Sequence, residues 1–361
     1  MPVRLPRRLF PLYQRLERSA QVLRYLFVEI TQRCNLACLH CGSDCSSRPG
    51  VDELSTAEWE RFFDYLGANA DVSRLLLVVT GGEPLCAPAL PRLLRSLTRN
   101  RLTFGMVSNG WALDAAMLQR LVDHGLRSMT ISLDGLADTH DWLRGREGSF
   151  AHVLSAITAA VQVGIPNFDV VTCANPRNLD QLPALRDLLG EVGVPAWRLF
   201  SIFPRGRARK NPEVQLSLPQ LSRLLAWIAQ ARRTGDRLPS IQWSCEGFLP
   251  DAIDQQVRDE PFFCRAGINI GSILCDGSIS ACPNIPRTLV QGNIRRDDFF
   301  DVWDNHFAAF RNRSWMATGD CKDCRDWKKC RGNSLHLLDE VAGGSLLCHR
   351  KLPAWTPAPL P

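Results

Sequence analysis

The sequence predicts a parallel α/β fold, either an open sheet or an incomplete barrel, followed by a smaller cysteine-rich unit. Three observations carry that expectation. Short apolar runs alternate with helix-like stretches six times over the first ~215 residues, the alternation then stops, and most of the fourteen cysteines fall in two clusters, one near each end of the chain. Strands alternating with helices lie side by side and parallel, the helices serving as crossovers.

The chain opens on a basic segment, residues 1–23, with arginines at 4, 7, 8, 15 and 18 and another at 24. It has no apolar stretch followed by a small-residue cleavage site, so it does not read as a secretion signal. No apolar run approaches the ~18 residues that a membrane span needs. The expected location is cytoplasmic, with neither membrane nor nucleic acid as partner. The net charge of +6 is mild for 361 residues. These arginines and the run RGRARK (205–210) are expected to be solvated, an acidic partner being the alternative.

The predicted strands are YLFVEIT (25–31), RLLLVVT (74–80), LTFGMVS (102–108), SMTISL (128–133), FDVVTC (168–173) and AWRLFSIF (196–203). Helices lie between them. STAEWERFFDYLGA (55–68) begins with Ser55 and has Glu58 three residues on, the pattern of a capping box. LPALRDLLGEVG (182–193) and PQLSRLLAWIAQARR (219–233) are also helical. The expected organisation is a core over 24–233, an irregular connecting segment over 234–260, a cysteine-rich unit over 261–352 and a Pro-rich disordered tail over 353–361.

Parallel α/β folds place ligands at the C-terminal ends of their strands. The stretch TQRCNLACLHCGSDC (31–45) falls there, directly after the first strand. In a reducing compartment, clustered cysteines point to a soft metal rather than to disulfides. Structural zinc takes four ligands, whereas Cys34, Cys38 and Cys41 form a set of three, C-x₃-C-x₂-C. A [4Fe–4S] cluster is normally held by four cysteines. Three leave one iron free to bind a ligand.

This loop resembles the signature of the radical S-adenosylmethionine (SAM) enzymes, which implies a partial (β/α)₆ barrel. Gly81-Gly82-Glu83-Pro84 follows the second strand, where the resemblance implies a contact with the amino group of SAM. Ser108-Asn109-Gly110 ends the third strand and Ser132-Leu133-Asp134-Gly135 the fourth, followed by His140-Asp141 and Arg144. The resemblance implies that Ser132 and Arg144 hold the SAM carboxylate, and assigns Asn109 and Asp134 to the same site. His40 stands where the family commonly puts an aromatic ring against the adenine. Cys45 is read as a buried thiol, because a fourth cysteinate would block the open iron.

CKDCRDWKKC (321–330) with the distant Cys348, and Cys264 upstream of Gly277-x₄-Cys282, resembles the SPASM domain, a C-terminal extension carrying up to two auxiliary clusters. By spacing alone, Cys321, Cys324, Cys330 and Cys348 suit zinc equally well; the resemblance implies iron–sulfur. By resemblance the first auxiliary cluster takes Cys264, Cys282 and a cysteine four after Cys330, but Ser334 stands there. That site is expected to be incomplete, altered or absent. Cys275 is not expected to complete it: a two-residue Asp276-Gly277 turn would pair 275 with 278 and 271 with 282, setting Cys275 and Cys282 roughly 13 Å apart.

The resemblance implies reductive cleavage of SAM to a 5′-deoxyadenosyl radical, hydrogen abstraction from a substrate, and an external electron donor such as flavodoxin or ferredoxin. A peptide or protein undergoing post-translational modification is the expected substrate, and a small molecule or tetrapyrrole in cofactor synthesis the alternative. Pro283 replaces the acid that sulfatase-maturing relatives place after the G-x₄-C cysteine. A different class, a non-catalytic metal-stapled binding or electron-transfer protein, has no use for a SAM pocket.

Overall fold

The computed structural model describes residues 6–46, 50–233, 238–244, 247–341 and 343–353. Cys245 and, beyond Pro353, the Pro-rich tail lie outside them.

The six expected strands form where the apolar runs stand: β1 (Tyr25–Glu29), β2 (Leu76–Thr80), β3 (Phe104–Ser108), β4 (Leu126–Ser132), β5 (Asn167–Ala174) and β6 (Ala196–Ser201). Each pairs in parallel with the next, so consecutive strands are neighbours and the sheet curls as one open layer. Helices cross between them. In α2 (Thr56–Asn69), Trp59, Phe62, Phe63 and Leu66 recur at helical spacing and are all buried. The predicted capping box closes its start, with Ser55 Oγ accepting from Glu58 N and Glu58 accepting from Ser55 N. Burying each such side chain contributes about 1.5–3 kcal/mol.

Two expectations change. The segment over 234–260 is not wholly irregular: it carries β7 (Ser240–Trp243), a seventh parallel strand beside β6, and a short helix (Asp251–Val257). The cysteine-rich unit does not begin its own sheet either. Its strand β8 (Ile270–Ile273) pairs in parallel with β1, and β9 (Ser278–Ser280) and β10 (Gly292–Asn293) extend the same ten-stranded sheet.

The β8–β9 hairpin also has another register. Ser272 pairs with Ser280 and Ile273 with Ile279, leaving a three-residue loop of Cys275, Asp276 and Gly277. Gly277 at φ +85° takes the left-handed position that closes such loops. Cys275 therefore lies in the turn, fully buried, with its N–H directed to Glu29.

The basic N-terminal segment packs on the protein. Its helix α1 (Phe10–Ala20) buries Phe10 and Glu17. Arg7 pairs with Asp254 at 3.0 Å, and Glu17 accepts from Asn269 at 2.6 Å. No helix among the described residues is long and apolar enough to cross a membrane.

Candidate active site and auxiliary centre

The consecutive strand order brings the loops after β1 to β6 to one rim. The loop after β1 carries Cys34, Cys38 and Cys41, and distant parts of the chain hold it. Cys34 N donates to Ser46 O at 2.9 Å, closing the loop at its base. Ala37 N and Leu39 N donate to the Arg144 and Leu143 carbonyls at the end of helix Ala137–Arg144. Arg146 reaches Asn35 O at 2.9 Å.

A further clamp has no local signature in the sequence. Arg207, within the run expected to be solvated, donates to Cys38 O at 2.7 Å and Cys45 O at 2.6 Å and pairs with Asp44 at 3.1 Å. Its backbone N–H meets Cys41 O at 2.9 Å. Arg205 in the same run donates to the carbonyls of His336 and Leu338 and pairs with Glu340 at 3.0 Å, joining the rim to the cysteine-rich unit.

The Gly81-Gly82-Glu83-Pro84 segment lies against the same loop. A Cβ on Gly81, at φ +142°, would collide with Thr31 O, and one on Gly82 with Arg33 O. Gly82 N and Glu83 N donate to those two carbonyls at 2.8 and 2.9 Å. The Glu83 carboxylate is buried and takes donors from Leu85 N, Ser108 Oγ and Asn109 N. It thereby ties the end of β2 to the end of β3. Burial pushes its pKa up. Asn109 in turn donates to Asn35 Oδ1 at 2.7 Å and faces Cys34 Sγ at 4.0 Å.

Asp134 is completely buried. One oxygen accepts from Cys173 N at 2.7 Å; the other pairs with Arg144 at 2.6 Å and faces His40 Nε2 at 3.6 Å. Burial is the largest influence on Asp134 and opposes its ionisation, but Arg144, the neighbouring histidines and the Cys173 N–H together outweigh it and hold the carboxyl below its usual range. Arg144 also directs an N–H toward Cys38 Sγ at 3.8 Å, while its Nε is buried without a partner. Its guanidinium thus spans a cluster cysteine and a carboxylate, with a donor left over. His40 is held neutral, its pKa pushed down to about 4 by burial. Ligand atoms of His40, Asp134 and Cys173 lie within 4.8 Å of one another and form the floor of the site. Ser132 ends β4 beside Val171, half-buried.

Do these residues fit a cluster open at one iron? Burial pushes the Cys34 thiol up to about 11. Cys41 lies at about 6, lowered by a hydrogen bond from Cys45 and, against burial, by Arg207. Cys45, buried as expected, is thus a donor to a candidate ligand sulfur. N–H groups aimed at sulfurs are the surroundings that iron–sulfur thiolates take. The residues fit.

At the other end, short turns bring Cys321, Cys324, Cys330 and Cys348 together, so that the Cys330 thiol feels the charge of the other three and Cys321 that of Cys348 and Cys324. Arg350 donates to Cys324 Sγ at 3.2 Å.

Between the two ends lies a cleft of about 370 Å³, open to solvent. Gly42 and Ser43 of the cysteine loop, Phe203 to Gly206, and Pro283 to Thr288 form its walls; Glu29, Arg209 and Glu340 also line it.

Residues 28–189 match the radical SAM superfamily, and residues 264–325 match an iron–sulfur cluster-binding domain, SPASM. The AdoMet-dependent heme synthase of Methanosarcina barkeri is 27% identical over 86% of this chain and 90% of its own. The PqqA peptide cyclase of Rhizobium meliloti is 25% identical over 90% and 86%. The solved structure of native anSMEcpe with bound AdoMet superposes with a TM-score of 0.68 at 17% identity, covering 91% of this chain and 94% of that one.

Proposed function

The chain belongs to the radical SAM superfamily, with a SPASM iron–sulfur domain at its C-terminal end, and on that premise we propose that it modifies a peptide or protein laid in the cleft between the two. It is an enzyme, and its cofactors are a [4Fe–4S] cluster, SAM and auxiliary iron–sulfur. Bound and reduced, the cluster supplies cleavage of the SAM sulfonium and a 5′-deoxyadenosyl radical that takes a hydrogen atom from the substrate.

In this reading Cys34, Cys38 and Cys41 hold the cluster, and Arg207 and the Leu143 and Arg144 carbonyls fix their loop. Gly81 and Gly82 let backbone approach the SAM amino group. Glu83, already taking three protein donors, positions that backbone and Asn109. Ser132 and the spare donor of Arg144 receive the SAM carboxylate, with Asp134 orienting the guanidinium. His40, neutral and buried, packs against the adenine. Cys321, Cys324, Cys330 and Cys348 hold an auxiliary cluster, and an external flavodoxin or ferredoxin supplies electrons.

The observation that carries the substrate reading is the cleft, which is open to solvent and walled both by Gly42 and Ser43 of the cysteine loop and by residues 283–288 of the SPASM unit, as suits an extended chain better than a small enclosed ligand. A tetrapyrrole is the second reading, favoured by Arg209 in the cleft wall, which suits a carboxylate, and by the heme synthase likeness. Two measurements test them. Anaerobic reconstitution with SAM and dithionite is expected to yield 5′-deoxyadenosine, lost in Cys38→Ala; no cleavage by the loaded wild type overturns the cofactor assignment. Mass spectrometry then follows peptides encoded beside the gene and co-expressed, against added Fe-coproporphyrin III. A modified peptide supports the first reading; a mass change in Fe-coproporphyrin III alone supports the second.

A further inference from the structure

The first auxiliary site is brought together, but something else fills it. Cys264 and Cys282 are close enough for their charges to interact, and Leu335 N–H, next to Ser334, faces the Cys264 sulfur. The three positions that the SPASM resemblance links therefore do converge. Against the Cys264 sulfur stands Arg313, 5% exposed.

Its guanidinium is fully engaged. Nη2 donates to Cys264 Sγ at 3.3 Å and to the carbonyls of Cys264 at 3.2 Å and Ala266 at 3.4 Å. Nη1 donates to Asn333 O at 3.2 Å, and Nε to Phe310 O at 3.2 Å. One planar group thus spans from the Cys264 sulfur to the residue preceding Ser334. A four-iron cube joining positions 264 and 334 would have to displace it and strand four carbonyls in the interior. Ser334 itself is fully buried. Its loop is pinned from the other side, where Asn333 Oδ1 takes Phe248 N at 2.9 Å and its Nδ2 reaches Leu347 O at 2.8 Å.

We infer that Arg313 takes the place of the first auxiliary cluster: this site is a structural guanidinium–sulfur node that binds no metal, and each chain carries a single auxiliary cluster. Arginine suits the task because its five donors lie in a fixed plane and its charge is permanent. A sulfur and four carbonyls converging on one point need such a donor set once no metal supplies positive charge there.

The inference rests on the cluster assignments under Proposed function, and iron counting separates the two. The reconstituted full-length protein is expected to hold about eight irons, two clusters of four. Cys34→Ala/Cys38→Ala/Cys41→Ala and Cys321→Ala/Cys324→Ala are each expected to lose about four; if neither does, the underlying assignment fails. Cys282→Ser, which leaves the Arg313 contacts in place, is expected to keep the wild-type iron content and the same electron paramagnetic resonance signals. About twelve irons in the wild type, falling by about four in Cys282→Ser, overturns the inference. Cys264→Ser gives a second reading where the first variant folds poorly, with the same two outcomes.

Discussion

Arg207 donates from Nε to the carbonyl oxygen of Cys38 at 2.7 Å, across 169 positions of sequence. The same guanidinium holds Cys45 O, so the second half of the cysteine loop is gripped from the segment that follows β6, the last of the six strands the sequence predicts. The loop's shape thus depends on a residue that carries none of its chemistry.

Arg207→Ala strands two buried carbonyls and is expected to cost about 1–3 kcal/mol. The protein keeps its circular dichroism spectrum but reconstitutes with less iron at the first site. Unchanged iron content would show that the loop holds its shape without the clamp.

The Cys45 thiol stands against Cys41 and lowers its pKa, and it also lies 4.0 Å from Ser43 O. Cys45→Ala is expected to keep the iron content and lower the reduction potential of the SAM-binding cluster. One hydrogen bond of ~1 kcal/mol corresponds to about 40 mV for one electron. Loss of about four irons instead would make Cys45 a ligand.

Asp134 and Arg144 form a buried ion pair at 2.6 Å. Asp134→Ala leaves the guanidinium buried and misdirected, at a cost of about 3–5 kcal/mol. The expected outcome is a lower Tm together with weaker SAM binding by calorimetry. Weaker binding with an unchanged Tm would place the effect of Asp134 on SAM alone.

His140 is buried, with Nδ1 accepting from Asp134 N at 3.0 Å and Nε2 against Ser149 Oγ at 3.2 Å. Burial, then Arg144, pushes its pKa down to about 4 from the usual 6.5. The unfolded chain therefore takes up the proton first, so stability is full above 6.5 and is lost as pH falls toward 4. By about pH 5.5 this amounts to ~1.4 kcal/mol. Urea midpoints of wild type and His140→Gln are expected to converge over that interval; parallel curves would count against a neutral, buried His140.

Arg205 binds two carbonyls and Glu340 of the SPASM unit. Arg205→Ala is expected to raise hydrogen exchange over residues 336–340 while leaving exchange over β1 to β4 unchanged. Equal exchange in both proteins would assign the domain contact to the continuous sheet alone.

The sequence by itself determined what lies close along the chain. The C-x₃-C-x₂-C spacing, the six strands at the apolar runs and the Ser55–Glu58 capping box depend on neighbours a few residues apart, whose geometry the covalent backbone constrains. The serine at 334 stood out only because the SPASM resemblance implies a cysteine four positions after Cys330. Only the tertiary structure decided which distant groups meet: β8 joining β1, Arg207 on Cys38, Arg144 between Asp134 and Cys38, and Arg313 on Cys264. An arginine in a basic run reads as solvated because charge is costly to bury. It goes inward where strand ends gather carbonyls and sulfurs with unmet acceptors, and no local pattern records that gathering. The hairpin register escaped for a related reason: Asp276-Gly277 suits both two- and three-residue loops, and the pairing that decides between them is made with the rest of the sheet.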